Sequence, residues 1–404
     1  MVIGAALNGL AAAVALGGAN VRRPVAVTLV DANDPRQFSK SAFDGRASAI
    51  TSSGRRMFEA LGLWDKLAVH AEAMREIIVT DTNRGPAERP TFLQFETPEG
   101  SAPSAYMVEN RYLYETMLEA AVASPHVTIR SGSATSWYRF GKGLASVGLA
   151  DGSELKASLV VAADGKNSAA RQAANIGMVG WDYDQMAIVV TVAHTKPHGG
   201  RAEEHFRPPG PFAILPLPGN YSSLVWNETK AEAQRILALA DEPFLDELKQ
   251  RFGSHLGEVT LASGRHGYPL RLSVAREFTS DRLALVGDAA HVVHPLAGLG
   301  FNLGLRDVAA LAECVSDAKA VGLDIGSRQI LDRYAAWRRF DTVATAAAME
   351  GMNRLFSNDS PSLRLIRDAG LMAVNRLKPL KSAFMQQAAG GAGVQPKLLR
   401  GLMP

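Results

Sequence analysis

A chain of 404 residues with one cysteine, Cys314, cannot carry a disulfide framework, which excludes a bridged secreted scaffold and fits a reducing compartment. That thiol sits in an apolar, helix-like run at 309–315, where burial and inertness are expected. No apolar run approaches the length of a membrane span, and the start lacks the basic-then-apolar order of a secretory signal, so the expectation is a cytoplasmic protein. Internal repeats and low-complexity linkers are absent. So is any Gly-x-Ser-x-Gly element that would suggest a hydrolase. His291 and His294 stand three positions apart, but no ligand set is completed around them and no metal is expected. Basic residues are not interleaved with aromatics, which argues against nucleic acid.

What is present is a globular composition, 47% apolar and 21% charged, in a chain longer than one hydrophobic core usually sustains. Two lobes with a cleft between them are expected. The formal net charge of +3 is unevenly spread. From position 361 onward, Arg364, Arg367, Arg376, Lys378, Lys381, Lys397 and Arg400 face the lone acid Asp368, so this tail carries +6 and the remainder −3. Leu363, Ile366, Met372, Val374, Phe384 and Met385 are interleaved with those charges, a composition suited to a helix lying on an anionic membrane surface. A helical hairpin packed on the body with a solvated basic face accounts for the same residues.

The first residues read as the end of a strand, a turn and an Ala-rich helix, and a β-branched strand at 25–30 closes on Asp31. This is a βαβ unit whose acid follows Gly9 by 22 positions, which suits a carboxylate on a ribose hydroxyl. Gly4, Ala6 and Gly9 hold the three places of the G-x-G-x-x-G fingerprint, and the alanine adds a methyl where backbone should approach a pyrophosphate. Only three residues precede Gly4, the length of a clipped first strand. A hairpin is expected at 145–149 and 155–162 about Asp151-Gly152, its second strand running into the turn Asp164-Gly165. Alternating β residues and prolines at 186–226 predict a second lobe with an antiparallel sheet. A third strand, from Leu283 to Val286, leads into Gly287-Asp288, then a loop holding Pro295, Gly298, Leu299 and Gly300, then a helix beginning near Phe301 with Asn302 as its cap. A carboxylate at a strand end can accept hydrogen bonds from a polyol, and a helix start offers free N–H groups and partial positive charge to an anion. Each of these turns alone is a weak signal. No second glycine fingerprint marks a stably bound nicotinamide nucleotide.

Together, in this order and with a β-rich insertion between the second and third, the three turns resemble the group A FAD-dependent aromatic hydroxylases, the para-hydroxybenzoate hydroxylase fold. Within that group, the run from His294 through Pro295, Gly298, Gly300, Asn302 and Arg306 to Asp307 is similar to the signature of the ubiquinone-biosynthesis hydroxylases. So is the run from Met352 to Asp359 with Arg364, Arg367 and Arg376, and the likeness covers nearly the whole chain. Leu299 departs from it, standing where the signature has glutamine, and Ala6 stands where it has glycine.

The resemblance implies an α/β fold: a Rossmann-like FAD-binding domain (1–74, 109–178 and 271–356), an inserted antiparallel β-sheet substrate domain (75–108 and 179–270), and C-terminal helices (357–404) that contact a membrane. It implies bound FAD, transient NAD(P)H, O2, and a polyprenylated phenol of ubiquinone biosynthesis hydroxylated on its ring through a flavin C4a-hydroperoxide. A place on the inner face of the membrane or in a quinone-biosynthesis complex goes with that substrate. Asp288 would bind the ribitol of FAD, Asp31 the adenosine ribose, Arg111 the pyrophosphate and Arg46 the flavin. Asp164 and Gly165 would lie where the pyrophosphate meets the approaching nicotinamide, with Arg171 below them. Pro295, Gly298, Leu299 and Gly300 would line the isoalloxazine, with Gly287, Phe301 and Asn302 beside it and the N–H groups of the loop favouring the anionic reduced ring. No side-chain base is assigned, and Tyr221 and His205 are the second lobe's candidates. Two other readings stay open. One is a flavoenzyme of the same fold acting as a prenyl reductase or on a soluble aromatic; the other is a flavin-poor, non-catalytic member of a quinone-biosynthesis complex, for which Ala6, Leu299 and the short first strand speak.

Overall fold

The structure, a computed structural model, describes residues 1–38, 45–81, 91–98, 100–294, 300–356 and 394–404. The first lobe is built on a six-stranded sheet in the order Thr279–Ser280, Leu283–Leu285, Val160–Ala162, Val2–Ile3, Val27–Asp31, Val127–Ser131. Its neighbours run parallel except for the edge pair Thr279–Ser280 and Leu283–Leu285. The central parallel strands Val2–Ile3 and Val160–Ala162 are covered on both faces and are wholly apolar, whereas the edge strand Val127–Ser131 is partly exposed and alternates. Short as it is, the first strand pairs on both sides, with Val160–Ala162 and with Val27–Asp31. The helix Leu7–Gly17 is almost wholly buried, packed between the helices Asn110–Ala123 and Gly300–Ala320. Alanines at 11, 12, 13 and 15 let those neighbours come close while still removing apolar surface from water.

In the second lobe a large sheet runs His291–Val292, His266–Ala275, Met178–His194, Tyr221–Thr229, Phe212–Leu217, Arg201–Phe206, Glu76–Asp81, Thr91–Glu96. Antiparallel pairing holds throughout this path except between Arg201–Phe206 and Glu76–Asp81, which run parallel. That exception differs from the expected all-antiparallel sheet. Glu76–Asp81 arrives from far earlier in the chain, and such a crossover connection permits the parallel sense that a tight hairpin forbids. The helices Lys230–Leu237 and Asp241–Phe252 cover one face, burying Phe212, Trp226, Phe244 and Phe252. The other face meets a three-stranded antiparallel sheet of Ala47–Thr51, Ala105–Glu109 and Ala71–Met74, with Ala49, Met107, Ala202, Ala213 and Leu215 forming the layer between them.

The predicted strand at 155–162 is two strands. Glu154–Ala157 completes the hairpin with Ala145–Leu149, whereas Val160–Ala162 enters the main sheet. Their burial tells them apart, alternating in the first and complete in the second. The expected membrane contact of the tail falls largely on 357–393, outside the described residues. Where the chain resumes, Leu398 and Leu399 are buried in the first lobe's core, Arg56 Nε donates to the Leu399 carbonyl (2.9 Å), and Lys397 pairs with Asp317 (3.3 Å). Lys397 therefore serves the body of the protein, contrary to its expected place on a membrane-facing surface. No helix among the described residues is long and apolar enough to cross a membrane.

Candidate functional site

Gly4 leaves the central strand at φ +96°, and a Cβ there would lie 2.5 Å from the Ala163 carbonyl oxygen. At Gly9, in the first turn of the following helix, a Cβ would lie 1.8 Å from the Gly4 carbonyl oxygen. Both positions require glycine so that helix and strand ends can touch. Ala6 is different: its φ of −75° suits any residue, and it is exposed on the wall of a groove. The helix it precedes has no side-chain cap and no acid in its first turn, so its free N–H groups open on that groove.

The groove has a volume of about 340 Å³ and is lined by Gly4, Ala6, Asp31, Ser133, Asp164 and Gly165, among others. It lies at the carboxyl ends of the parallel strands, beside the strand from which the chain's order diverges to either side, the usual ligand position in such sheets. Asp31 Oδ2 accepts from Ala5 N (2.7 Å) and Oδ1 from Asn33 N (2.8 Å), so the carboxylate fixes the turn and keeps a lone pair on each oxygen for a ligand. Asp164 Oδ2 accepts from Ala170 N (3.2 Å). Two buried atoms of the wall, Asp164 Oδ1 and Ser133 Oγ, have no partner among the described residues, as expected of groups that await a polyhydroxylated ligand.

A second turn closes the crevice from the other side. Gly287 has φ +59°, and a Cβ on it would sit 2.1 Å from Asn8 Nδ2, so the first helix is pressed against this turn. Its N–H donates to Asp307 Oδ2 (2.9 Å), which also accepts from His291 Nε2 (2.6 Å), while Asp307 Oδ1 accepts from Arg338 Nε (2.8 Å). Arg338 and Arg306 both reach Asp341, at 2.6 and 3.0 Å. Burial alone would raise the Asp307 carboxyl; His291 and Arg338 outweigh it and hold the group below the usual carboxylate range. Asp288, next in the chain, reaches the surface, yet crowding by protein raises its carboxyl against the pull of His291, Lys166 and Arg46. Arg171 joins the two turns, donating to the carbonyls of Ala289 (2.9 Å) and Lys166 (3.0 Å).

The remaining sequence candidates scatter. Arg46 is exposed, its guanidinium 5.7 Å from the ring centre of Tyr268, so it spans from the first lobe to the second lobe's sheet. Arg111 pairs with Glu109 (2.9 Å) and lies over Tyr112 (4.6 Å) on an exposed helix start, away from the groove wall. Asn302 does not cap its helix, which begins at Gly300. Instead its side chain turns inward, Oδ1 accepting from Thr51 N and Oγ1 (3.0 Å each) and Nδ2 donating to the Ala49 carbonyl, because a buried amide must find partners and that strand supplies them. Phe301 is half-buried against the first core, and a Cβ on Gly300 would meet none of the described residues within 4 Å. Pro295, Gly298 and Leu299 lie outside the described residues. His205 faces the helix-covered side of its sheet, bonded to Thr80 and Glu203, and Tyr221 is exposed beside a hairpin turn, so neither has the setting expected of a base in the cleft. Sequence reasoning gave no role to Asp307 or Asn8. An Arg-Asp pair between apolar stretches of a helical run was the signal for the first; nothing in the sequence marks the second.

A family model described as FAD binding domain matches residues 1–350. The ubiquinone hydroxylase UbiL of Rhodospirillum rubrum is 42% identical to this chain over 405 aligned residues, which cover 100% of this chain and 92% of that one. The chain belongs to the FAD-dependent ubiquinone-biosynthesis hydroxylase family. It is also 35% identical, over 370 residues, to the 3-demethoxyubiquinol 3-hydroxylase of Escherichia coli K12, covering 90% of this chain and 92% of that protein. Among solved structures, the p-nitrophenol 4-monooxygenase PnpA of Pseudomonas putida DLL-E4 superposes with a TM-score of 0.78 over 97% of this chain and 98% of that one, at 18% identity, a likeness of fold. The resemblance drawn from the three turns and from 294–307 is borne out. This flavoprotein's groove fits FAD: uncapped N–H groups for a pyrophosphate, carboxylates at Asp31 and Asp164 for hydroxyls, and buried oxygens in the wall without a partner among the described residues.

Proposed function

We propose that the protein hydroxylates the aromatic ring of a polyprenylated phenol in ubiquinone biosynthesis, with NAD(P)H and O2 as transient co-substrates. The observation that carries this reading is the 42% identity to a ubiquinone hydroxylase across the full chain, both lobes and the cleft included. When bound, FAD supplies the oxygen chemistry. The chain's own residues bind, orient and exclude water. Asp31 accepts from the adenosine ribose, the first turn of Leu7–Gly17 takes the pyrophosphate, and Ser133 and Asp164 complete that half of the site. Asp288 accepts from the ribitol, held in place by the bond from Gly287 to Asp307. Arg46 stands at the flavin's edge of the cleft, with Arg111 farther out; Pro295, Gly298, Leu299 and Gly300 line the ring, braced through Phe301 and Asn302. The domain division at 1–74, 75–108, 109–178, 179–270, 271–356 and 357–404 belongs to this reading, as does contact of the basic, apolar tail with the inner face of the membrane, where a polyprenyl tail partitions.

Deleting the gene and identifying the accumulated quinone precursor by mass spectrometry tests the pathway. A normal quinone pool with no accumulated intermediate, in a strain lacking any second hydroxylase, overturns it. Purified protein should carry the yellow flavin spectrum. A colourless protein unable to take up added FAD sinks the enzymatic reading and favours a non-catalytic member of a quinone-biosynthesis complex.

A further inference from the structure

Successive side chains of a strand point to opposite faces, and the strand Arg201–Phe206 carries two acids in a row, so one goes to each side. Glu203 shares the helix-covered face with His205, which stacks on Phe212. It accepts there from His205 Nε2 (2.9 Å) and His255 Nε2 (2.7 Å) and forms an ion pair with Arg201, whose Nε lies at 2.9 Å. Glu204 shares the opposite face with Ala202, which belongs to the layer formed with Ala49, Met107, Ala213 and Leu215 between the sheet and the first lobe. Its neighbours in the sheet are Ala213 on one side and Val79 on the other, with Val225 and Leu93 one strand farther out. All are apolar. The fold gives Glu203 three partners, while Glu204 makes no hydrogen bond or ion pair among the described residues.

A carboxyl set among apolar side chains without a partner is costly to keep, and its position suggests what it is kept for. The same sheet face carries Tyr268 beneath Arg46, and the layer's Ala49 is bonded through its carbonyl to Asn302, in the first turn of the helix that follows the proposed flavin-ring loop. Glu204 thus belongs to the wall of the cleft in which a ring substrate would face the flavin. We infer that Glu204 is the catalytic base that takes the proton of the substrate's phenolic hydroxyl. The O–H bond breaks, its electron pair stays on the ring oxygen, and the proton ends on a Glu204 carboxylate oxygen, leaving an electron-richer phenolate ring. Burial lifts the Glu204 carboxyl to about 8, with no charged group pulling either way. A phenol ionises near 10 and an ordinary glutamate near about 4.3, so the lifted carboxyl narrows a mismatch of almost six pH units to about two. The nearby charged side chains of its own strand, Arg201, Glu203 and His205, act on the other face.

This inference rests on the hydroxylase reading, and the experiment separates the two. FAD-loaded wild-type protein, Glu204→Gln and Glu204→Asp are titrated with 2-geranylphenol as probe. Binding is read from the probe's ultraviolet difference spectrum, and turnover between pH 6 and 9 from hydroxylated product and NAD(P)H oxidation. Wild-type turnover should rise with pH as the Glu204 carboxyl ionises, with an inflection near 8. Glu204→Gln should bind the probe within about threefold, lose that inflection and lose on the order of 10²–10⁴ in product formation, the usual worth of a general base. Glu204→Asp should retain part of the rate and an inflection of its own. Turnover by wild type together with an unimpaired Glu204→Gln overturns the role of Glu204 alone; no turnover by wild type overturns the hydroxylase reading as well. If Glu204→Gln fails to fold, the wild-type profile still decides, because turnover that does not change between pH 6 and 9 excludes a carboxyl base that ionises near 8.

Discussion

Asp307 offers the most direct test of how the second cofactor turn is held. Its side chain is wholly buried and receives three bonds, from Gly287 N, His291 Nε2 and Arg338 Nε. In Asp307→Ala the Gly287 N–H loses its acceptor and the Arg338 guanidinium, 2% exposed, loses one of two anionic partners. Stranding a buried charge costs about 3–5 kcal/mol and an orphaned N–H about 1–3. Because Asp341 stays on Arg338 at 2.6 Å, the low end applies, and a loss of about 3 kcal/mol is expected. Arg338→Met removes the cation instead, and the double variant strands neither charge, so its cost should fall short of the summed single costs by about 2 kcal/mol. Urea unfolding followed by tryptophan fluorescence measures all three. Flavin fluorescence titration adds the functional half: a loosened Gly287-Asp288 turn should weaken FAD by about tenfold, equivalent to about 1.4 kcal/mol. Single costs below about 1 kcal/mol with strict additivity in the double variant would refute the idea that Asp307 couples the turn to the helix Arg328–Phe356.

Gly9→Ala, whose methyl would land 1.8 Å from the Gly4 carbonyl oxygen, should yield protein without bound flavin, whereas Ala6→Gly should change the FAD dissociation constant by less than about threefold; equal effects in a flavin titration would contradict the placement of the fingerprint. His294 is 1% exposed, neither ring nitrogen has a partner among the described residues, and burial lowers its pKa to about 4 despite Glu350. Below about 6.5 the unfolded chain takes up a proton that the folded one refuses, so this group's contribution is complete above that pH and is lost on acidification toward 4, by up to about 3 kcal/mol. Urea curves at pH 7 and 4.5 should show His294→Phe losing less stability on acidification than wild type, and equal losses would discard the assignment. For the tail, replacing Arg364, Arg367, Arg376, Lys378 and Lys381 with serine leaves the docked end at Leu398-Leu399 in place and should weaken co-sedimentation with anionic liposomes, each basic residue near such a surface being worth about 1 kcal/mol. Unchanged partitioning would reject membrane contact by this segment.

The parts of the site that were legible in the sequence are those where backbone geometry restricts residue type. Gly4, Gly9, Gly165 and Gly287 occupy turns or contacts that exclude a side chain, and acids at 31, 164 and 288 close strands, so spacing alone exposed the three turns. Strands Ala47–Thr51, Ala71–Met74 and Ala105–Glu109 escaped because they are short, and the first two are rich in alanine and serine; their strand character comes from packing beneath the large sheet. Asn302 was misassigned for a related reason. Its position at a helix start suggests a cap, and only the strand brought beside it in three dimensions provides the better partners. Glu203 and Glu204 look alike in the sequence, and which of them is satisfied depends on the sheet's two faces.

The first strand of the cofactor lobe is hydrogen-bonded to a strand near residue 30 and to another near 161, which in turn carries the strand at 283–285. A chain synthesised from its amino terminus therefore makes its central strand first and completes the sheet around it only after residue 285 has emerged. Such long-range pairing is slow, and it leaves apolar strands uncovered during synthesis. Because the FAD groove needs Gly4 against Ala163 and Gly287 against Asn8, the cofactor can bind only after the last of these segments has docked, and it stabilises the finished lobe by mass action. Flavin supply during expression should accordingly govern how much folded protein persists, while leaving the order of assembly untouched.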